Sequence, residues 1–255
     1  MSDEFVLTLW TASAAEARAA DAAGVQRVGV DLERVGKAER QAGYGTWISP
    51  HSCEDLRAVG AALEQAALFV RINPPGPGLR EEIDEVLAAG AAVVMAPMIE
   101  SADRAADFVG TVAGRARTIA LVESKAGIED LASIAATPAL DEIHIGLNDL
   151  SLSLGLTNRW AVLAGDLMYD AGLCVRAAGL AFGFGGIGRA RDTQLPIPSD
   201  LIYAEYARTG ATRALIARSY RVGGADLAAE ITRTRVRLRE WQDTPADARE
   251  TAHAE

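Results

Sequence analysis

The sequence predicts a single-domain α/β fold, the (β/α)8 TIM barrel, and three observations carry that expectation. The chain has 255 residues, and one such barrel takes roughly 250. Short apolar runs rich in β-branched residues alternate with longer Ala-, Leu- and Glu-rich segments of helical period, the pattern of a parallel sheet. The alternation repeats about eight times, the number that closes a barrel.

In chain order, FVLTLW (5–10) is the first strand and the alanine-rich 13–23 the first helix. QRVGVDLE (26–33) is the second strand, followed by a helix at 53–65. ALFVRIN (67–73) is stopped by Pro74, Pro75 and Pro77, and Gly90 ends the helix at 79–89. AAVVMAP (91–97) leads to a helix at 101–113 with Ser101 as its N-cap. RTIALVE (117–123) and DEIHIG (141–146) flank a helix at 126–136, and a helix at 159–177 precedes GLAFGF (179–184). Ser199 caps a helix at 199–209, TRALIAR (212–218) is the eighth strand, and a last helix covers 224–241. Residues 1–242 thus form the barrel with its C-terminal helix, and 243–255, with little to bury, form a flexible tail.

The 49% hydrophobic content supplies a sizeable core. A net charge of −10 with scattered basic residues excludes nucleic acid and anionic membranes as partners, because both require a basic footprint. Cys53 and Cys174 lie far apart and make neither a metal motif nor an expected disulfide, which fits the cytoplasm. The acidic start MSDEFVLTLW has no signal-peptide pattern, and no window holds the roughly 18 apolar residues of a membrane span.

Strands of a parallel barrel are buried on both faces, so ionisable groups within them need a partner or a metal. Here they gather at the C-terminal strand ends, where barrel enzymes build their sites: Asp31 and Glu33, Arg71 and Asn73, Glu123, His144 with Asn148 and Asp149 beyond it, and Arg218. Glu123 and Asp149 cap neighbouring strands, so their carboxylates can converge on one hard cation, Mg2+ or Mn2+. The competing reading pairs Glu123 with Lys125 and makes Asp149 a helix cap. Arg71 keeps its proton and must meet an anion: a substrate carboxylate or enolate, an ion pair with Asp31 or Glu33, or both. Asp31 and Glu33 share a strand face and either orient water or balance nearby arginines. The glycines of FGFGGIGR, Gly185 and Gly186 among them, let the backbone approach a small anion or merely form tight turns. His51 is either a general base or a solvated loop residue, and His144 reads as a core histidine. Glu100 lines the pocket or caps the next helix.

With these residues laid out, the chain resembles the HpcH/HpaI aldolase and citrate lyase β-subunit superfamily. The resemblance rests on VDLE (30–33), VRINP (70–74), VMAPMIES (94–101), ALVESKAGIEDLASIAATPALDEIHIGLNDLSLSLG (120–155) and FGFGGIGR (182–189), of which the long central stretch is the most specific. It implies a carbon–carbon lyase acting through the enolate of a pyruvate-type 2-oxo acid, with an aldehyde or acyl acceptor. It further implies Glu123 and Asp149 as metal ligands, Arg71 on the 2-oxo acid and its enolate, and backbone amides of Gly146, Leu147 and Asn148 on the substrate carboxylate. Members are commonly homo-oligomers whose C-terminal helix packs on a neighbouring subunit.

One departure stands out: Arg34 follows the acidic motif where the aldolase branch usually carries histidine. That leaves the proton to His51, to metal-bound hydroxide or to the substrate, and it brings DLER closer to the citrate lyase branch, which acts on acyl-CoA thioesters. A barrel that only binds a metabolite is the non-catalytic alternative. Residues 156–165 and 189–200 are expected to shape the acceptor side of the pocket.

Overall fold

The structure, a computed structural model, describes residues 4–36, 51–192, 196–221 and 226–254. Eight parallel strands close a barrel in chain order: β1 Val6–Trp10, β2 Arg27–Asp31, β3 Ala67–Arg71, β4 Val93–Ala96, β5 Arg117–Val122, β6 Glu142–Ile145, β7 Ala181–Ile187 and β8 Arg213–Ile216. The outer helices are α1 Ala14–Ala22, α2 Cys53–Gly60, α3 Leu79–Ala88, α4 Ala102–Val112, α5 Lys125–Glu129, α6 Leu131–Ala135, α7 Leu147–Ser153, α8 Leu167–Ala177, α9 Ser199–Thr209, α10 Leu227–Asp243 and α11 Ala246–His253. No helix among the described residues is long and apolar enough to cross a membrane.

Several elements differ from the sequence reading, each for a local reason. The helix expected at 126–136 is two, parted at Asp130, whose backbone leaves the helical region (φ −100°, ψ 13°) while its carboxylate accepts from the Ala102 amide at the start of α4 (2.9 Å). The helix expected from 159 begins as a 3-10 turn, Arg159–Leu163, because the Asn158 side chain accepts from the Trp160 and Ala161 amides. Pro198, not Ser199, is the N-cap of α9, and the Ser199 hydroxyl instead accepts from the Asp192 amide (3.2 Å). Arg218 lies beyond β8 in a 3-10 turn, Arg218–Arg221. Residues 224 and 225 of the last predicted helix fall outside the described ones. Its described part, α10, packs on α1 and α9 of its own chain and buries Ile231, Thr234 and Leu238. Past it, where a loose tail is expected, α11 buries no residue but is tied down by His253 Nδ1 against Glu205 (2.8 Å) and by Arg249 donating to the Ala207 carbonyl (2.8 Å).

Strand alternation decides which side chains reach the barrel interior. Phe69, Val93, Met95, Ile119 and Leu121 form the inner apolar layer, whereas Leu68, Val70, Ala120 and Val122 pack against the helices. Residues two along from the inner layer therefore face inward too. On β3 and β5 these are Arg71 and Glu123 at the top, and Ala67 and Arg117 at the foot. Register carries the pattern around: Asp31 pairs with Arg71, Arg27 with Ala67, Glu142 with Ile119, His144 with Leu121, and Arg213 with Gly183.

One expectation is thereby corrected, because ionisable groups gather at both ends of the barrel. At the N-terminal foot, Arg27 makes a two-pronged bond to Glu142 (2.7 and 2.5 Å), with Arg117 at 3.4 Å and Arg213 at 3.7 Å from the same carboxylate. His144 sits just above, with Nε2 3.7 Å from Glu142, and burial lowers its pKa so that it stays neutral in the core. These groups escape notice in the sequence because each opens or interrupts a strand that is otherwise apolar.

Candidate active site

At the C-terminal mouth, Arg71 is the central cation. Its Nε and Nη2 donate to Asp31 (2.9 and 2.7 Å), and Nη2 lies 3.2 Å from Glu33. Its guanidinium also stands over the Trp10 ring, 5.4 Å from the centroid. Burial works against the charge, but Asp31, then Glu33 and Glu123, outweigh it and raise the Arg71 pKa. The guanidinium is thus held in one orientation while its charge is preserved. Asp31 also accepts from the Glu33 amide (3.2 Å), which curls the chain end of β2 back over the pair. Trp10 carries no sequence signal for this role, since its contact exists only once β1 closes beside β2.

Glu123 and Asp149 are both buried, at 5% and 8% exposure, and both line one cavity of about 260 Å³. Met98, Glu100, Ser124, Leu152 and Ser153 complete its walls. Glu100 therefore lines the pocket, and Ser101 is what caps α4. Two features fix Glu123. Met98 adopts a left-handed backbone (φ 53°), unusual for a side-chain-bearing residue, and its amide donates to Glu123 Oε1 (3.2 Å). On the other side Gly146 packs so closely that a Cβ there would lie 2.6 Å from Glu123 Oε2. Lys125, the alternative partner of Glu123, instead stands exposed beside Glu129 (3.8 Å).

Among the described residues, no group of three or more His, Cys, Asp or Glu is gathered so as to hold a metal alone. Two buried oxygen donors beside open space suit a hard cation that takes its remaining ligands from water and a chelating substrate. Asp149 stands in the first turn of α7, whose N-cap, Gly146, supplies no side chain, leaving the amides of that turn without a side-chain acceptor.

His51 precedes the capping box of α2, formed by Ser52 and Asp55. Its carbonyl accepts from Arg34, which brings it to the loop after β2, and its Nδ1 is buried with no hydrogen-bond partner among the described residues. Asn73 secures the same loop by accepting from the Arg34 and Val35 amides (2.9 Å each). Gly185 and Gly186 lie just before Ile187, the last residue of β7, at an irregularity of its register with β8. Of the two stretches expected to face the acceptor, 156–165 holds Arg159, which donates to the Asn148 side chain (3.3 Å), whereas residues 193–195 of the other lie outside the described ones. Sequence reasoning passed over Arg159 because its position follows from an unforeseen 3-10 turn.

The family model of the HpcH/HpaI aldolase/citrate lyase matches residues 7–187. A hydroxypyruvate/pyruvate aldolase of Paraburkholderia phytofirmans is 32% identical over 133 residues, 39% of this chain and 50% of that one. Another, of Roseovarius nubinhibens, is 29% identical over 181 residues, 56% of this chain and 69% of its own. The chain thus spans half to about two thirds of these curated relatives. Among solved structures, a family protein from Burkholderia cenocepacia superposes with a TM-score of 0.66 at 23% identity, covering 93% of this chain and 95% of that one. Protein CitE from Mycobacterium tuberculosis, in complex with magnesium and pyruvate, gives 0.61 at 22% identity over 99% and 98% of the two chains. These two likenesses speak for the barrel. With the match running unbroken from β1 through β7, the chain belongs to the HpcH/HpaI aldolase/citrate lyase family.

Proposed function

We propose that this chain is a divalent-metal-dependent aldolase or lyase that forms or cleaves a carbon–carbon bond beside a pyruvate-type 2-oxo acid. One observation carries the reading: buried Glu123 and Asp149 open on a single cavity, with Arg71 close enough to Glu123 for their charges to interact. Asp31 and Glu33 hold Arg71 at this mouth, and the carboxylates of Glu123 and Asp149 are oxygen donors of the kind a hard cation takes. The names of the curated relatives and the pyruvate in the CitE complex point to the same substrate class.

Mg2+ or Mn2+ held by Glu123 and Asp149 would polarise the keto group of a 2-oxo acid and acidify the C–H at its C3. Arg71, fixed by Asp31 and Glu33, faces the charge that develops on the enolate oxygen, and its orientation is set before the reaction begins. Amides of Leu147 and Asn148 at the start of α7 receive the substrate carboxylate, whereas the Gly146 amide, expected to join them, donates to the Val122 carbonyl (2.9 Å) and is taken. His51 is the side chain we assign to take the C3 proton. The enolate electron pair then forms the new bond to an acceptor carbonyl carbon, whose oxygen gains a proton to give a 4-hydroxy-2-oxo acid. Cleavage runs the same steps backwards.

Deuterium exchange at C3 of pyruvate tests this without any acceptor. Glu123→Gln should lower metal-dependent exchange by about 10²–10³-fold, the scale of losing one electrostatic contributor to a transition state. The same substitution should remove the stabilisation that Mg2+ confers on the wild type, about 2.7 kcal/mol at a hundred times its Kd. Exchange at the wild-type rate in Glu123→Gln would refute the assignment.

A further inference from the structure

Among the described residues, two arginines at the mouth have no acidic partner. Arg159 follows β6 and Arg218 follows β8, so they flank the end of β7, where Gly185 and Gly186 contribute no side chains. Neither makes an ion pair with a described residue, although the chain has 35 acidic residues against 25 basic ones. Arg159 donates to Asn148 (3.3 Å), the neighbour of Asp149, and lies over the Trp160 ring, 4.8 Å from its centroid. Partial burial, and after it the charge of Arg218, push the Arg159 pKa below its ordinary value, so the two guanidiniums oppose one another.

Like charges left together without a counter-ion are relieved by an incoming anion, and a planar guanidinium pair matches a carboxylate or phosphate in two-pronged fashion. The position is also apt. An anionic second substrate is repelled by the carboxylate-rich floor around Glu123, and a local cationic wall at the rim offsets that repulsion and orients the carbonyl inward.

We infer that Arg159 and Arg218 form an anion subsite that selects acceptors carrying a carboxylate or phosphate in addition to their reactive carbonyl. The inference rests on the enolate reading above and adds the class of the second substrate.

The test compares pyruvate addition to charged and neutral acceptors: glyoxylate against glycolaldehyde, and glyceraldehyde 3-phosphate against glyceraldehyde. Wild-type kcat/KM should favour the charged member of at least one pair, and the pair that responds identifies the anion. Arg159→Gln and Arg218→Gln should each erode that preference on the order of ten-fold, chiefly through KM, with little change for the neutral member. Arg218→Lys should retain part of it, which a merely structural role would not predict. Equal use of charged and neutral acceptors by the wild type, or an undiminished preference in the double Gln variant, overturns the subsite. Pyruvate exchange without acceptor separates the failures: exchange present without charge preference removes the subsite alone, whereas no exchange in the wild type removes the enolate reading and the subsite with it.

Discussion

The two ends of the barrel interior carry ion clusters of opposite balance. At the foot one carboxylate, Glu142, is met by Arg27, Arg117 and Arg213, with His144 kept neutral above it. At the mouth one guanidinium, Arg71, is met by Asp31 and Glu33, with Glu123 and Asp149 beside them. Glu142 is fully buried yet held far below the usual carboxylate range, because the bonds from Arg27 and the charges around it overcome the burial that opposes ionisation. Both Glu142 oxygens already accept from Arg27, so the pair closes on itself inside the barrel. The mouth is different: two of its carboxylates, Glu123 and Asp149, border a cavity. A cluster closed on itself contributes to the fold, while one whose carboxylates line open space has room for a ligand.

The largest effect should come from breaking the complete cluster. Glu142→Gln leaves Arg27 buried without its carboxylate, and removal of one partner of a buried pair costs about 3–5 kcal/mol. Urea unfolding should show that loss, whereas Glu123→Gln should leave stability in the absence of metal nearly unchanged. The pH dependence follows from the sign of the shift. The folded pKa of Glu142 is depressed, so its stabilisation is present above the ordinary value of 4.5 and fades as pH falls below it. The acid limb of the stability profile should therefore be shallower in Glu142→Gln. A wild-type acid limb in that variant, or equal destabilisation by Glu123→Gln, would erase the distinction between the two ends.

A smaller effect should come from disturbing the incomplete cluster without touching its charges. Gly146→Ala sets a methyl 2.6 Å from Glu123 Oε2 and 2.7 Å from its Cβ, so the carboxylate must turn away. Displacing a ligand through its support typically costs 10–100-fold in metal affinity. Titration with Mn2+ followed by electron paramagnetic resonance would measure it. Binding as tight as in the wild type would show that Glu123 is not a ligand in the orientation described here.

The two clusters also differ in how far they could be read from the chain. Arg71, Glu123 and Asp149 were visible because a charged residue closing an apolar strand is costly unless something receives it. Arg27, Arg117, Glu142 and Arg213 obey the same rule at the strand starts, but there a charge is indistinguishable from the polar end of the preceding loop until the barrel closes. The barrel itself was legible from alternating periods, yet the breaks at Asp130 and at Arg159–Leu163 were not, since each depends on a side chain bonding backbone amides. The supports of the site were hidden for a related reason. Trp10 meets Arg71 only across β2, the left-handed Met98 amide reaches Glu123 from another loop, and the closeness of Gly146 to Glu123 is a property of two adjacent strands.

The smallest effect should be that of Lys125→Ala, and its smallness is informative. Sequence alone allowed Lys125 to neutralise Glu123, which would have left that carboxylate no lone pair to offer a metal. In the structure Lys125 is exposed and paired one turn along with Glu129 at 3.8 Å, an arrangement worth about 0.3 kcal/mol at most. Lys125→Ala should therefore leave pyruvate exchange and Mg2+ affinity within about two-fold of the wild type, because its charge lies outside the cavity and is screened by solvent. A loss comparable to that of Glu123→Gln would mean that the lysine and the carboxylate act as a pair. The Glu123 carboxylate would then be taken by the lysine, and the reason for placing a cation on it would disappear.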